Sequence, residues 1–232
     1  MEEKIMGTDV TTINGTALSS FGAALLSYDT GALSFKNNYF KSEKRLQPTI
    51  FAPNMPLREV VLKCEFFAQS DGIAESHATN LAFHLTQNSD IYLPDGFYYT
   101  GTLTKVSKPK RIAAGIFTRE FGITAYRHGA LESITLTQSG TVSVNIKGNY
   151  KTAVRYKIST SGTTFSVNGI TVEGIMGDLI VIDGINCTVT EDGENCFEKT
   201  NATEFPTLEA GANDIVIDGS GTVVIEYYPI YF

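Results

Sequence analysis

The chain predicts a mainly β protein of two domains: a β-rich N-terminal domain with one short α-helix, then a C-terminal β-sandwich. Three observations carry this reading. Apolar and polar residues alternate in short runs along most of the 232 residues, and Gly, Asn, Asp and Pro separate the runs. Only one segment, between Asp71 and Asn88, has a helical period. The charge is unequally shared. Residues 1–129 carry 13 Lys/Arg against 12 Asp/Glu, and residues 130–232 carry 5 against 13. The net −7 thus divides into +1 and −8, which sets a domain boundary near Gly129.

In chain order, residues 17–68 read as mainly extended. The clearest strand is 58–68, with Val60, Leu62, Cys64 and Phe66 on one face; Phe67 interrupts the polar face. Before it, 51–57 carries two prolines and reads as a turn or exposed loop. In the helical segment Ala74, Ala78, Leu81, Ala82 and Leu85 form one stripe, and Ser70 or Asp71 is placed to cap its start. Two β-rich arms then flank Pro94-Asp95-Gly96, a hairpin signal, and another long strand lies within 116–127. From 131 onward short strands follow at 133–138, 141–147, 153–159, 164–169, 178–182, 185–190, 214–217 and 222–228. That spacing fits a β-sandwich.

The pentapeptide IVIDG occurs twice, at 180–184 and 215–219. Asp-Gly meets the positive φ that a two-residue type I′ turn requires. Asp183-Gly184 therefore predicts one hairpin, Asp192-Gly193 a second turn, and Asp218-Gly219 a further hairpin with a slightly longer loop. A sharper reading makes a calcium or sugar site from Asp183, Glu191, Asp192, Glu194 and Asp218. Calcium takes roughly six to eight oxygens, and EDGEN is too short and lacks the alternating-acid loop spacing. Turn-making accounts for these residues without a ligand.

Catalytic chemistry finds little support. His77 and His84 lie two turns apart on the predicted helix, roughly 10 Å along its axis, too far for one metal without a ligand between them. His128 stands alone. There is no G-x-S-x-G, Walker loop, G-x-G-x-x-G, H-E-x-x-H or C-x-x-C. Cys64, Cys187 and Cys196 are too few for a disulfide framework and suit a reducing compartment, although Cys187 and Cys196 are candidates to face each other across strands. With no tryptophan, sugar stacking falls to tyrosines, and Tyr227, Tyr228 and Tyr231 read more simply as packing. Lys105, Lys108, Lys110 and Arg111 form the one dense basic stretch, read as a solvated loop. No aromatic is interleaved there, so specific nucleic-acid binding is not expected. No apolar run approaches the roughly 20 residues that cross a bilayer, and MEEKIMGTDV has no signal-peptide core, so no membrane insertion is expected. The sequence assigns no catalytic residue, cofactor or metal ligand.

The C-terminal segment resembles the distal tail (Dit) proteins of long-tailed, non-contractile phages and prophages. The resemblance rests first on Gly177, Asp178, Ile180, Ile182, Asp183, Thr188, Val189, Gly193 and Asn195. Phe205, Pro206, Leu208, Gly211, Asn213 and Ile215 continue it, then Val224, Glu226, Tyr227, Pro229 and Tyr231. Residues 148–158 resemble the opening of the family's C-terminal domain more loosely, and the order of β region, short helix and DIYLPDG is similar upstream. These are turn and packing positions. The resemblance implies a short-form, non-enzymatic structural protein. Residues 1–129 would be a β-sandwich or split-barrel domain that builds a hexameric ring. Residues 130–232 would be a galectin-like β-sandwich projecting from it. It also implies partners: copies of itself, the tail tube protein, a tail-associated lysin or fibre hub, and receptor-binding or baseplate proteins. The setting implied is the virion tail tip, reached by assembly in the host bacterial cytoplasm. The ring-interface residues stay unassigned. A stand-alone carbohydrate-binding or adhesion module is the alternative reading.

Overall fold

The computed structural model describes residues 10–32, 39–40, 49–50 and 57–232. The proline-containing loop expected at 51–57 lies, except for Leu57, outside these residues. The chain divides into two compact units, Met1–Arg127 with Phe232, and His128–Tyr231. Both are built mainly of strands.

The first unit contains β1 (Thr12–Ile13), β2 (Thr16–Ala17), β3 (Ala23–Asp29), β4 (Tyr39–Phe40), β5 (Thr49–Ile50) and β6 (Arg58–Phe67). Helix α1 (Asp71–Thr86) follows, then β7 (Ser89–Tyr92), β8 (Tyr98–Val106), β9 (Lys110–Ala113) and β10 (Ile116–His128). Its main sheet runs β2-β1-β7-β8-β10-β6-β3, with β9 also paired to β10, while β4 and β5 pair with each other. Alternation on β6 puts Val60, Leu62, Cys64 and Phe66 fully inside, facing Ile123, Phe121, Arg119 and Phe117 of β10. Burying each large apolar side chain stabilises by about 1.5–3 kcal/mol. Phe67 points to the other face and is 52% exposed.

Helix α1 covers the inner face with Ala74, Ala78, Leu81 and Leu85, and Ala82 packs at its margin. The Ser70 Oγ accepts from the Ile73 N–H and caps the helix. Two further ties were not legible in the sequence. Arg119 sits on the inner face of β10 and reaches Glu75 at 2.8 Å, while Asp71 accepts from the Gly115 N–H and pairs with Arg111 at 3.0 Å. The expected hairpin around Pro94-Asp95-Gly96 forms: Ile91 pairs with Tyr99, and Gly96 has φ 83°.

The second unit contains β11 (Glu132–Leu136), β12 (Gly140–Ile146), β13 (Thr152–Thr160), β14 (Thr164–Val167), β15 (Ile170–Glu173) and β16 (Ile180–Asp183). After these come β17 (Thr188–Glu191), β18 (Glu194–Asn195), β19 (Thr207–Leu208), β20 (Gly211–Asp218), β21 (Gly221–Tyr227) and β22 (Ile230–Tyr231). One sheet runs β11-β21-β13-β16-β17-β18, with β19 on β13; the other runs β12-β20-β14-β15. Register aligns Ile134, Ile225, Tyr156, Ile182 and Val189 in one inward row across the first sheet. Phe165, Val167, Ile215 and Ile217 join the same core from the second. This is a β-sandwich, as expected.

The turns depart from expectation in two places. Asp183-Gly184 is not a two-residue turn. Asp183 pairs with Thr188 inside the strands, leaving 184–187 as the loop, and the left-handed residue is Cys187 at φ 56°. Gly184 is needed for close approach instead, since a Cβ there would meet the Pro206 carbonyl oxygen at 2.3 Å. Nor does Asp218-Gly219 close a hairpin, because β20 and β21 belong to different sheets and the segment crosses between them. Asp192-Gly193 does form the expected two-residue turn, with φ 49° and 90° and Glu191 paired to Glu194. Asn168-Gly169 makes another, which turns β14 into β15; the strand expected at 164–169 ran through this turn, and β15 was not expected.

Candidate functional site

The acidic residues weighed for a cation are spread over separate structural tasks. The Asp183 carboxylate takes N–H donors from Ile185, Asn186 and the Asn186 amide at 2.8–3.0 Å, and Arg155 Nε at 2.8 Å. Burial alone would raise its pKa; the Asn186 and Arg155 hydrogen bonds outweigh burial and hold it low. Arg155 also reaches Glu226 at 3.2 Å, and Lys157 reaches Glu226 at 2.6 Å, so one ladder of alternating charge ties three strands side by side.

Glu191 and Asp192 do something different. The Glu191 carboxylate pairs with Lys199 and accepts from the N–H groups of Met176 and Gly177 at 2.6 Å. Those three donors, Lys199 foremost, pull its pKa down to about 2. Asp192 accepts from the Asp178 and Leu179 N–H groups. Two adjacent acids thus pin the 174–179 strap, which presents Met176 at 90% exposure. Asp218 is exposed. Among the described residues no group of three His, Cys, Asp or Glu side chains is placed to hold a metal ion.

The histidines pack. His84 meets the Phe21 ring edge-on at 5.1 Å. His77 lies against Gly22, its buried Nδ1 without a hydrogen-bond partner among the described residues. His128 is buried, its Nδ1 2.7 Å from the Gly129 carbonyl oxygen. Cys187 is exposed and Cys64 and Cys196 are buried, and none of the three is in a disulfide. Tyr227 is buried and its hydroxyl accepts from the Lys147 N–H at 3.1 Å. No helix among the described residues is long and apolar enough to cross a membrane.

The first unit presents exposed basic and apolar surface. Its arm at 105–112 is exposed apart from half-buried Ser107, and combines Lys105, Lys108, Lys110 and Arg111 with Ile112 at 59% exposure. Phe83 on α1 is 62% exposed. At one end of the core Arg58, 7% exposed, lies near Arg127, Tyr99 and Asp95. The Tyr99 hydroxyl donates to Asp95 at 2.6 Å, and burial first, then that bond, pushes its pKa up to about 12. Arg127 stacks 4.6 Å over Phe97 and donates to the Phe232 carbonyl. The sequence reading gave no role to Arg58, Phe97, Tyr99 or Arg127; a charged residue at an inward β position, as at Arg58 and Arg119, was the available signal.

Two β units with one capped helix make up a Dit-like fold. The crystal structure of the Dit protein (gp19.1) of phage SPP1 matches with a TM-score of 0.69 at 12% identity, over 94% of this chain and 98% of that one. It is described as a paradigm of the hub adsorption apparatus in phages that infect Gram-positive bacteria. A chain of the phage P2 baseplate in its activated conformation with Ca matches with a TM-score of 0.58 at 12% identity, over 92% of each chain. No protein-family model and no curated protein matches the sequence.

Proposed function

We propose that the chain is a structural protein of a phage tail tip. Six copies close into a ring that joins the tail tube to the baseplate or receptor-binding apparatus. The observation that carries this is the likeness to the SPP1 Dit protein across nearly the whole of both chains, so that the two-unit plan is matched rather than a single module.

In this reading residues 1–129 build the ring and residues 130–232 form the galectin-like domain that projects from it. A ring needs heterologous contacts that close by rotation. The near-neutral first half can pack against copies of itself with less repulsion than the acidic second half. Phe83 and Ile112 supply exposed apolar surface there. The role is assembly, not catalysis. The partners are further copies, the tail tube protein, a tail-associated lysin or fibre hub, and receptor-binding or baseplate proteins. The protein assembles in the host cytoplasm and ends at the virion tail tip. The full-length likeness to a tail protein favours this over a stand-alone adhesion module.

Electron microscopy of the purified full-length protein tests it. Six-fold rings with a central channel are expected. Monomer-sized particles alone, at every concentration, would overturn the ring.

A further inference from the structure

One sheet of the second unit ends on an unguarded strand. β12 (Gly140–Ile146) closes the order β12-β20-β14-β15, and β20 is its one sheet neighbour among the described residues. It pairs with β20 from Gly140 to Ile146 without a register shift. It carries no charged residue and no proline. Thr141, Ser143 and Asn145 are exposed, while Val142, Val144 and Ile146 pack on the core. An edge of this kind is a template for another strand unless charge, proline, a bulge or brevity guards it. The other sheet ends of this unit are guarded. β11 begins on Glu132, tied to Lys147 at 2.9 Å; β18 is two residues long; β15 has a further bridge, from Val172 to Thr200.

The neighbouring strand decides which backbone groups of β12 face outward. The Asn168 N–H donates to the Val216 carbonyl at 2.8 Å, and the Val216 N–H donates to the Asn168 side-chain oxygen at 2.8 Å. Val216 thus turns its backbone away from β12. Alternation along an antiparallel ladder then directs Ile215 and Ile217 towards β12, where they face Val142 and Gly140. Thr141, Ser143 and Asn145 are left with their N–H and C=O groups on the open side.

The stretch TVSVN at 141–145 has the same polar–apolar pattern in both directions. In an antiparallel register centred on Ser143, Ser143 faces its own counterpart in a second copy, Val142 faces Val144, and Thr141 faces Asn145. The outward-facing residues then form three hydrogen-bonded pairs of two bonds each, about six bonds in all. Valines stay on the core face and polar residues on the solvent face, and a slip of one residue would mix them. No like charges are brought together. Lys147, the first charged residue beyond β12, would face Ser139. Asp214, beside Ser143 on β20, would lie three strand spacings, roughly 14 Å, from its counterpart, beyond the Debye length of about 8 Å at physiological salt. We propose that β12 of one copy pairs with β12 of a second copy across a two-fold axis, so that two sheets become one. A two-fold contact does not close a ring of six. It joins free chains in pairs, or one ring to another, and it does not rest on the ring itself.

Sedimentation of the full-length protein over a concentration series, with hydrogen exchange of the 140–146 segment, tests this. Pairs of chains, or pairs of rings where rings close, should grow with concentration. The amides of Thr141, Ser143 and Asn145 should become protected in step. Ser143→Pro should weaken the association roughly tenfold or more, since each copy loses one bond across the axis. The fold should stay intact by circular dichroism, because the Ser143 N–H is not used in the β20 ladder. A Thr141→Lys, Asn145→Lys double variant, which sets lysine opposite lysine at both pairs, should weaken the association similarly. A charge at Phe83 or Ile112 should weaken rings and leave β12 pairing in place, so the two readings fail separately. Absence of pairing at every concentration would overturn the proposal. So would pairing unchanged in both β12 variants, or protection of 140–146 that appears only when another tail protein is added.

Discussion

Replacing Asp183 by alanine should destabilise the second unit strongly, whereas the same change at Asp218, in the identical IVIDG pentapeptide, should leave it almost unaffected. The Asp183 side chain is 6% exposed and meets four donors. Its removal leaves the Ile185 and Asn186 N–H groups without their acceptor, at about 1–3 kcal/mol for each that water cannot reach. It also removes one of the two carboxylates paired with Arg155, though Glu226 remains and the arginine is 24% exposed, which limits that loss. Together these come to about 2–4 kcal/mol, or roughly 10–20 °C in the midpoint of a unit of about 100 residues. Asp218 is exposed, so its replacement should stay within about 0.5 kcal/mol. Urea and thermal unfolding followed by circular dichroism give both numbers. The pH dependence has a definite sign. The folded-state pKa of Asp183 is lowered, so its stabilisation is present above the ordinary carboxylate range and is lost as pH falls through the lowered value. Equal losses for the two variants, or a loss under about 0.5 kcal/mol for Asp183→Ala, would refute the claim that the two copies have different jobs.

Other perturbations probe other parts of the account. Gly22→Ala should destabilise the first unit by about 1–3 kcal/mol, because Gly22 has φ 62° and its Cβ would lie 2.1 Å from His77 Nδ1. Gly15→Ala, with φ 76° but open space, should be milder by thermal denaturation. Glu191 should titrate by NMR near pH 2, so the pinning of the 176–177 amides persists well below the ordinary glutamate range and is lost only as pH falls through about 2. A midpoint in the ordinary range would show that Lys199 and the two amides do not hold it. A thiol reagent should label only Cys187 in the native protein, and Cys64 and Cys196 only after unfolding. Burial, then Glu191, raises the Cys196 pKa and lowers its reactivity further.

Much of the fold was legible because it is periodic. Alternation on β6 and the alanine–leucine stripe on α1 name their buried faces residue by residue. The turns were only partly legible. Asp-Gly states that a chain can bend, not which strand follows alongside: Asp192-Gly193 closes a two-residue hairpin, and Asp218-Gly219 passes from one sheet to the other. Gly184 answers to the Pro206 carbonyl, 22 residues away and invisible in a local pattern. The inward Arg119 makes sense only once Glu75 of α1 is opposite it. Asn168 meets Tyr156, and Asn201 meets Thr171, only once the sandwich closes. The Asn-Gly pair at 168–169 was a turn signal that the strand reading at 164–169 absorbed.

Native mass spectrometry of the full-length protein over a range of concentrations tests the central claim most directly. The account predicts a closed assembly of six 25.2 kDa chains, weakened by a charge placed at Phe83 or Ile112. A strict monomer at every concentration would contradict it.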